Sequence, residues 1–305
     1  MSQAPAPRPA STPDWVTPWP TTALGRVRSG LSEAWLHVRR CSQRSTHPRL
    51  IVFPCGTRAD NPASLLRAYA IGTELRDSFG WRVSVVPPRH SLKQRLRLVR
   101  LELPDVILMQ MERHPLNRPR FYRPVPVVFD IDDADFLWEH ARPLVQECCQ
   151  DSAAVVAGSR FVAEWAAQWN PRVEIVWTGA PHRPRPRTPS QLHRRLVVAW
   201  GHSRPHDYPQ EEAFLEAVLL QVAKRISFEY WIFGVRDEFA KELRTERLVG
   251  AGIKVRSFPP MPFAEFSRRL EEVAVGMQVL AEDNPFSRGK SFGKILNYLE
   301  AGAVV

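Results

Sequence analysis

Residues 49–87, RLIVFPCGTRADNPASLLRAYAIGTELRDSFGWRVSVVP, set the reading of the whole chain. LIVFPC (50–55) is a short apolar run that stops at Cys55-Gly56, as a buried strand and its turn would. In 61–80, Pro62 sits in the first turn and Leu65, Leu66, Tyr69 and Leu75 recur at helical spacing. Gly80 stands where a left-handed cap would end the helix. WRVSVVP (81–87) is a second strand. An apolar run, an amphipathic helix and a second apolar run make the unit of a parallel sheet covered on both faces.

The unit repeats in both directions of the argument. KQRLRLVRLEL (93–103) is a basic helix and PDVILMQ (104–110) a strand. VPVVFD (125–130), SAAVVAGS (152–159) and VEIVWTG (173–179) are further strands, separated by helices at 142–150 and 160–169. APHRPRPRTPSQLHRR (180–195) breaks the alternation with Pro and Arg and reads as an inter-domain linker. The pattern then restarts with strands at 196–203, 228–234, 253–260 and 274–281 and helices at 211–225, 262–273 and 291–302. AVV (303–305) opens another strand. The expected organisation is a Pro-rich tail and basic helix (1–48), a first Rossmann-like domain (49–182), a linker (183–195) and a second Rossmann-like domain (196–305). The second is expected to be incomplete, because no helix follows its last strand. Leu24, Val27, Leu31, Trp35 and Val38 place an amphipathic helix within 21–45, docked on the core or lying on a membrane face.

Composition excludes several classes. The 305 residues are 44% hydrophobic and 24% charged, which rules out a chain disordered throughout. The formal charge of +10, carried mostly by Arg, suits a phosphorylated ligand or an anionic surface. Cys41, Cys55, Cys148 and Cys149 lack C-x-x-C spacing, so neither a zinc site nor a disulfide framework is expected. The first residues lack the apolar core of a signal peptide, and no run reaches the roughly 18 apolar residues of a membrane helix. A cytoplasmic protein with peripheral membrane contact at most is expected. Basic and aromatic residues do not cluster as a nucleic-acid module, so no nucleic acid is expected as partner.

In a doubly covered parallel sheet, ligands bind beyond the carboxyl ends of the strands. The conspicuous polar run there is Asp130-Ile131-Asp132-Asp133-Ala134-Asp135, after the fourth strand. Four readings stand beside one another. The acids hold a divalent ion against a diphosphate. They supply an aspartyl nucleophile, although Ala134 stands where a phosphatase of that kind carries Thr or Val. They line an inter-domain cleft, where Asp130, Asp132 or Asp133 serves an acceptor hydroxyl or a developing positive charge. Or they cap the next helix and pair with Arg113, Arg118 or Arg142. Gly56, Arg58, Asn61, Arg113 and His114 are further loop candidates, as are His202 and His206.

The run from Asp283 to Tyr298, Asp-Asn-Pro-Phe-Ser-Arg-Gly-Lys-Ser-Phe-Gly-Lys-Ile-Leu-Asn-Tyr, followed by Glu300-Ala-Gly-Ala-Val-Val305, carries a second signal. A Gly-Lys turn leads into a helix with a second Lys one turn later, then Asn297 and Tyr298, then Gly302 and a small apolar strand. Read physically, Ser291 caps that helix, and Arg288, Lys290 and Lys294 surround a positive helix end suited to phosphate. This segment resembles the donor-site signature of group 1 glycosyltransferases of the GT-B fold. Residues 153–180 are similar to the end of that family's first domain. The resemblance spans roughly residues 49–305.

It implies two Rossmann-like domains of the GT-B type and a sugar moved from a nucleotide-diphosphate donor to an acceptor, with retention and without metal or other cofactor. The acceptor class stays open among polysaccharide, lipid-linked glycan and protein. Donor contacts fall to Gly201 and Ser203 in the first turn of the second domain, and to Arg288, Lys290, Lys294 and Asn297. The family often places Glu, seven residues and a second Glu here; in this register Gly289 and Asn297 occupy those positions. A non-catalytic nucleotide- or glycan-binding protein of the same fold is the second reading.

Overall fold

The computed structural model describes residues 47–57, 62–180, 195–202, 204–281 and 283–305, with Ala34 and Val38, both helical, from the segment before them. The expected tail, most of the 21–45 helix, the linker 183–194, Arg58, Asn61 and Ser203 lie outside the described residues.

The first sheet has six parallel strands: β1 (Arg49–Phe53), β2 (Arg82–Val85), β3 (Val106–Gln110), β4 (Val127–Ile131), β5 (Ala154–Ala157) and β6 (Val173–Ile175). Their spatial order is β2-β1-β3-β4-β5-β6. The register is regular; Leu50, Ile51, Val52 and Phe53 face Val106, Ile107, Leu108 and Met109. Alternate residues feed two cores. Ile51, Phe53, Ile107, Met109 and Phe129 point to one side, and Leu50, Val52 and Ala68 to the other. Burial on both faces is why the inner strands are mainly apolar, whereas the edge strands β2 and β6 are more open and carry Arg82, Ser84 and Glu174.

The helix α1 begins at Pro62–Ser64, widens into a π-helical stretch at Leu65–Tyr69 and continues as Ala70–Phe79. Gly80 closes it with φ 68°, the left-handed conformation its sequence position calls for. α2 (Leu92–Glu102) opens with a capping box in which Ser91 and Gln94 exchange side-chain and backbone hydrogen bonds. α3 (Arg142–Gln150) and α4 (Arg160–Ala166) cover β4 and β5, and Ser159 caps α4 through the Val162 N–H.

The second sheet has four parallel strands, β7 (Val197–Gly201), β8 (Glu229–Phe233), β9 (Lys254–Phe258) and β10 (Val275–Met277), in the order β10-β7-β8-β9. Val304 adds a single parallel bridge to Val275 where a further strand was expected. α5 (Pro209–Ala223), α6 (Glu246–Gly250), α7 (Phe263–Leu270) and α9 (Gly293–Glu300) cover the faces, and a one-turn helix α8 (Pro285–Arg288) precedes α9. The sequence reading missed α6 and α8, which are too short to show periodicity. Tyr298 is 1% exposed and packs flat against Gly276, where an added Cβ would lie 2.1 Å from the ring; this contact seats α9 on β10.

Strand order reverses direction between β7 and β10. Chains leaving the two strands turn opposite ways there and open a crevice at their carboxyl ends. The turn after β7 (202–208) and the segment after β10 (278–292) flank that crevice and face the loops after β3 and β4 of the first sheet.

Candidate functional site at the inter-domain crevice

The Gly-Lys segment does not hang free; it closes on the first sheet. A Cβ on Gly289 would stand 2.7 Å from the Ala134 Cβ, so only glycine lets the loops meet this closely. Lys290 Nζ donates to Asp133 Oδ1 at 2.8 Å. Ser291 Oγ and Thr178 Oγ1 are 3.0 Å apart. Phe286 packs on both cores and stacks on Trp138 with ring centroids 5.2 Å apart, and Phe292 meets Trp177 edge-on at 4.8 Å. Ser291 is thus spent across the crevice. Phe292 occupies the N-cap of α9 without a side-chain cap, a correction to the expected capping role.

Glu211, 1% exposed in the first turn of α5, positions this segment. Its Oε1 accepts from the Ala281 N–H at 3.3 Å, from Asn284 Nδ2 at 3.2 Å and from the Ser287 hydroxyl. Asn284 in turn caps α8 through the Phe286 and Ser287 N–H groups. Three donors on one oxygen of a buried carboxylate fix the loop that carries Lys290.

The acids of 130–135 divide their tasks. Asp130 is 2% exposed and receives Arg67 Nε and Nη2 in a two-pronged ion pair, with Arg67 itself 1% exposed. The wide turn of α1 carries this arginine inward; its Nη1 also donates to the Val176 carbonyl and to Thr178 Oγ1. Asp132 accepts from Thr178 Oγ1 at 2.8 Å and lies 3.6 Å from Arg67 Nη1. Burial raises its pKa, with Arg67 opposing. Asp133 bridges Lys290 and Arg113 Nη2, both at 2.8 Å. Burial pushes Asp133 up, but the two cations outweigh it and hold the carboxyl well below the usual range. Arg113 also clamps Asp135 with Nε and Nη2, at 2.5 and 2.6 Å. Pairing with Arg113 is one of the alternatives open in the sequence. Of the three acids named for the cleft, Asp133 spans the crevice, whereas Asp130 is turned into the first domain.

The cations divide as well. Lys290 and Lys294 come together, with the ring of His202 beside them. Lys294 is half-buried and has no acidic partner within 4 Å among the described residues. Burial, then the charge of Lys290, brings its pKa down to about 7, against some support from Asp133 and Asp132. Burial and the two lysines likewise hold His202 neutral. Arg288 sits apart, its guanidinium 5.0 Å over the Phe161 ring. Asn297 is 9% exposed and its Nδ2 donates to the Gly293 carbonyl of its own helix at 2.7 Å. Gly201 is approached by the Tyr298 hydroxyl, 3.1 Å from where a Cβ would stand.

Beyond Lys290 the crevice widens into a cavity of about 630 Å³ between the two sheets, with Arg113, Trp138, Tyr208 and Phe286 in its walls. Glu112 in the same wall is 3% exposed. Burial, then the neighbouring charge of Asp135, raises its pKa to about 8. The sequence reading passed over Glu112, Arg67 and Glu211. The detectable signal for the first was its place two residues after the end of a buried strand.

Neither a protein-family model nor a curated sequence matches the chain. Solved structures do. An α-glucosyltransferase in complex with UDP-glucose and DNA containing an abasic site superposes with a TM-score of 0.55 at 14% identity, over 85% of this chain and 79% of that one. A sucrose-phosphate synthase from Thermosynechococcus elongatus gives 0.51 at 10% identity, over 75% of each chain. The S. aureus MnaA–UDP structure gives 0.50 at 13% identity, over 75% and 73%. The chain has the two-domain GT-B fold that its C-terminal segment led one to expect. Among the described residues no helix is long and apolar enough to cross a membrane.

Proposed function

We propose that the protein transfers a sugar from a nucleotide-diphosphate donor to an acceptor, with Lys290 and Lys294 holding the diphosphate. One observation carries the reading. Lys294 is a half-buried ammonium group beside a second ammonium, at the carboxyl ends of β7 and β10, without a carboxylate of its own among the described residues. A fold gains nothing from such an arrangement by itself; an arriving dianion supplies the missing charge. In transfer, negative charge grows on the departing diphosphate, and preorganised cations in a dry crevice stabilise it more in the transition state than in the ground state.

Lys290 has three protons to give. One engages Asp133 and a second the Tyr208 hydroxyl, which leaves one to serve a phosphate. The turn through Gly201 lies at the same strand ends, and Ser203, two residues on in sequence, is a further donor contact in this reading. Arg288 reaches the donor only by leaving Phe161. Asn297 contributes by holding the first turn of α9. Metal-independent transfer is supported by the state of the acids: Asp130, Asp132 and Asp133 are each committed to Arg67, Thr178 or Lys290. Retention of anomeric configuration rests on the resemblance to group 1 transferases. Asn297, neutral and turned into its own helix, favours a second reading, a non-catalytic binder of nucleotide diphosphates.

Thermal melting of the purified protein with UDP, GDP, ADP or CDP tests the donor site. A ligand at a hundred times its Kd adds about 2.7 kcal/mol to the folded state. One diphosphate is expected to raise the Tm, and Lys294→Ala to remove the increase. A Tm that none of the four moves would sink the proposal, and a Tm rise without turnover of the matching sugar nucleotide would leave the binding protein.

A further inference from the structure

Residues 176–178 follow β6, the last strand of the first sheet, and one arginine holds them. Arg67 Nη1 donates to the Val176 carbonyl at 2.7 Å and to Thr178 Oγ1 at 3.1 Å, while Nε and Nη2 of the same guanidinium stay on Asp130. Arg67 is 1% exposed and Thr178 5%. The helix takes its π-helical form at Leu65–Tyr69, around this arginine. Such widenings are uncommon and recur at functional sites. Trp177, between the two anchored residues, is turned outward and meets Phe292 of the second domain.

Thr178 has one hydrogen to give, and it is already committed. Arg67 can only donate, so the Thr178 oxygen accepts from it. The Thr178 hydrogen goes to Asp132 Oδ1, 2.8 Å away in the first domain. The bond across the crevice is therefore given by Ser291, whose hydroxyl donates to Thr178 Oγ1 at 3.0 Å. Gln278 Nε2 donates to the Ser291 carbonyl at 3.2 Å, so Ser291 is held from the second domain as well. The methyl of Thr178 is used too. A Cβ on Gly293 would stand 3.1 Å from Thr178 Cγ2 and 3.2 Å from Thr178 Cβ, so the first residue of α9 lies directly on this side chain. Lys294 is the next residue. The bonds to Arg67 and Asp132 lie inside the first domain, whereas the contacts to Ser291 and Gly293 exist only with α9 seated.

We infer that Thr178 is a positioning residue: held by Arg67 and Asp132, it fixes the start of α9 and so the place of Lys294. Its part in donor binding rests on the transferase reading above; the seating of α9 does not. The hydroxyl sets the direction of the contact and the methyl its distance, so threonine fits the place on both counts. Serine keeps the three hydrogen bonds and loses the methyl contact. Valine keeps the shape and loses the bonds. With the hydroxyl gone, Arg67 still has Asp130 and the Val176 carbonyl, so Thr178→Val leaves the buried ion pair whole. A side chain that served only the packing of the first domain would change stability and leave ligand affinity alone.

The test takes the full chain labelled with fluorotryptophan, read by fluorine NMR with the Trp177 resonance assigned through Trp177→Phe, and calorimetric titration with UDP, GDP, ADP and CDP. Without ligand, Thr178→Val is expected to move the Trp177 resonance, as Phe292 leaves it, and Thr178→Ser to leave it in place. For whichever diphosphate the parent binds, Thr178→Val should weaken binding about tenfold and Thr178→Ser by no more than about threefold. Ser291→Ala breaks the same contact from the other side and reads it even if Thr178→Val fails to fold. The double variant should bind no more weakly than the weaker of the two single ones. An affinity of Thr178→Val equal to the parent's, or losses that add in the double variant, would overturn the role. If the parent binds none of the four, the donor reading falls and the resonance decides alone. Moved by Thr178→Val and not by Thr178→Ser, it supports the seating of α9 by Thr178; unmoved by both, it overturns that too.

Discussion

Lys294 shows how a single side chain can couple folding, ligand and proton. Its ordinary pKa is 10.5, and the folded crevice brings it to about 7. Between those values the unfolded chain keeps the proton that the folded chain has released, so stability of the empty protein should rise with pH across that window. Lys294→Met is expected to flatten the rise, as read by urea unfolding at pH 7 and pH 9. A diphosphate reverses the balance, because it favours the ammonium form. Titration calorimetry at pH 8 in two buffers of different ionisation enthalpy should show uptake approaching one proton per diphosphate bound. Binding without proton uptake would mean that Lys294 is not the group that meets the ligand. Asp130 makes the contrast. Its pair with Arg67 is buried on both sides, and removing one partner strands the other. Asp130→Asn should therefore cost about 3–5 kcal/mol in unfolding. Loss of turnover at unchanged stability would instead give Asp130 a direct part in the chemistry.

At the scale of elements, strands and long helices were legible because burial leaves a periodic trace in sequence. β1 to β5, β7, β8 and β10 each fall within an apolar run, and α2 and α3 within an amphipathic one. Contacts between elements leave no such trace. Nothing local to Leu65–Tyr69 announces that the helix widens there, yet that turn delivers Arg67 to Asp130, 63 residues away. Glu211 reads as an ordinary acid in the first turn of a helix, and its role depends on a loop 70 to 76 residues later. Ser291 was legible as a cap candidate, but a hydroxyl 113 residues earlier in sequence claimed it. Lys290 stands in the turn before α9 and Lys294 in its first turn, so the course of that turn, and not a shared helix face, sets how the two lie. Glu211→Ala tests the element-scale reading. It should leave the sheets intact by circular dichroism and weaken diphosphate binding by roughly tenfold or more through loss of the three loop bonds. An unchanged affinity would show that the loop holds Lys290 without this anchor.

Across the whole molecule, the crevice is closed by one segment, residues 286–292, which touches the first domain through Gly289, Lys290, Ser291, Phe286 and Phe292. The same segment is expected to grip the donor. Domain closure and donor binding therefore draw on the same few side chains, and a substitution among them should change both together.

The ion pair between Asp133 and Lys290 has a further meaning in the language of competition. Before any ligand arrives, the lysine is already occupied by an anion that belongs to the protein and cannot diffuse away. Asp133 thus acts as a tethered inhibitor at a high effective concentration, and every free anion must outbid it. A weakly held ion such as inorganic phosphate loses that contest, whereas a diphosphate carrying a nucleoside brings enough additional contact to win. Asp133→Asn should lift the inhibition, raising affinity for inorganic phosphate roughly five- to tenfold while improving selectivity for nothing. Calorimetric titration with phosphate would read it directly, and an affinity equal to the parent's would show that the pair exerts no such exclusion. In these terms the acid at the crevice is a filter, and the selectivity of the lysine depends on what it must first give up.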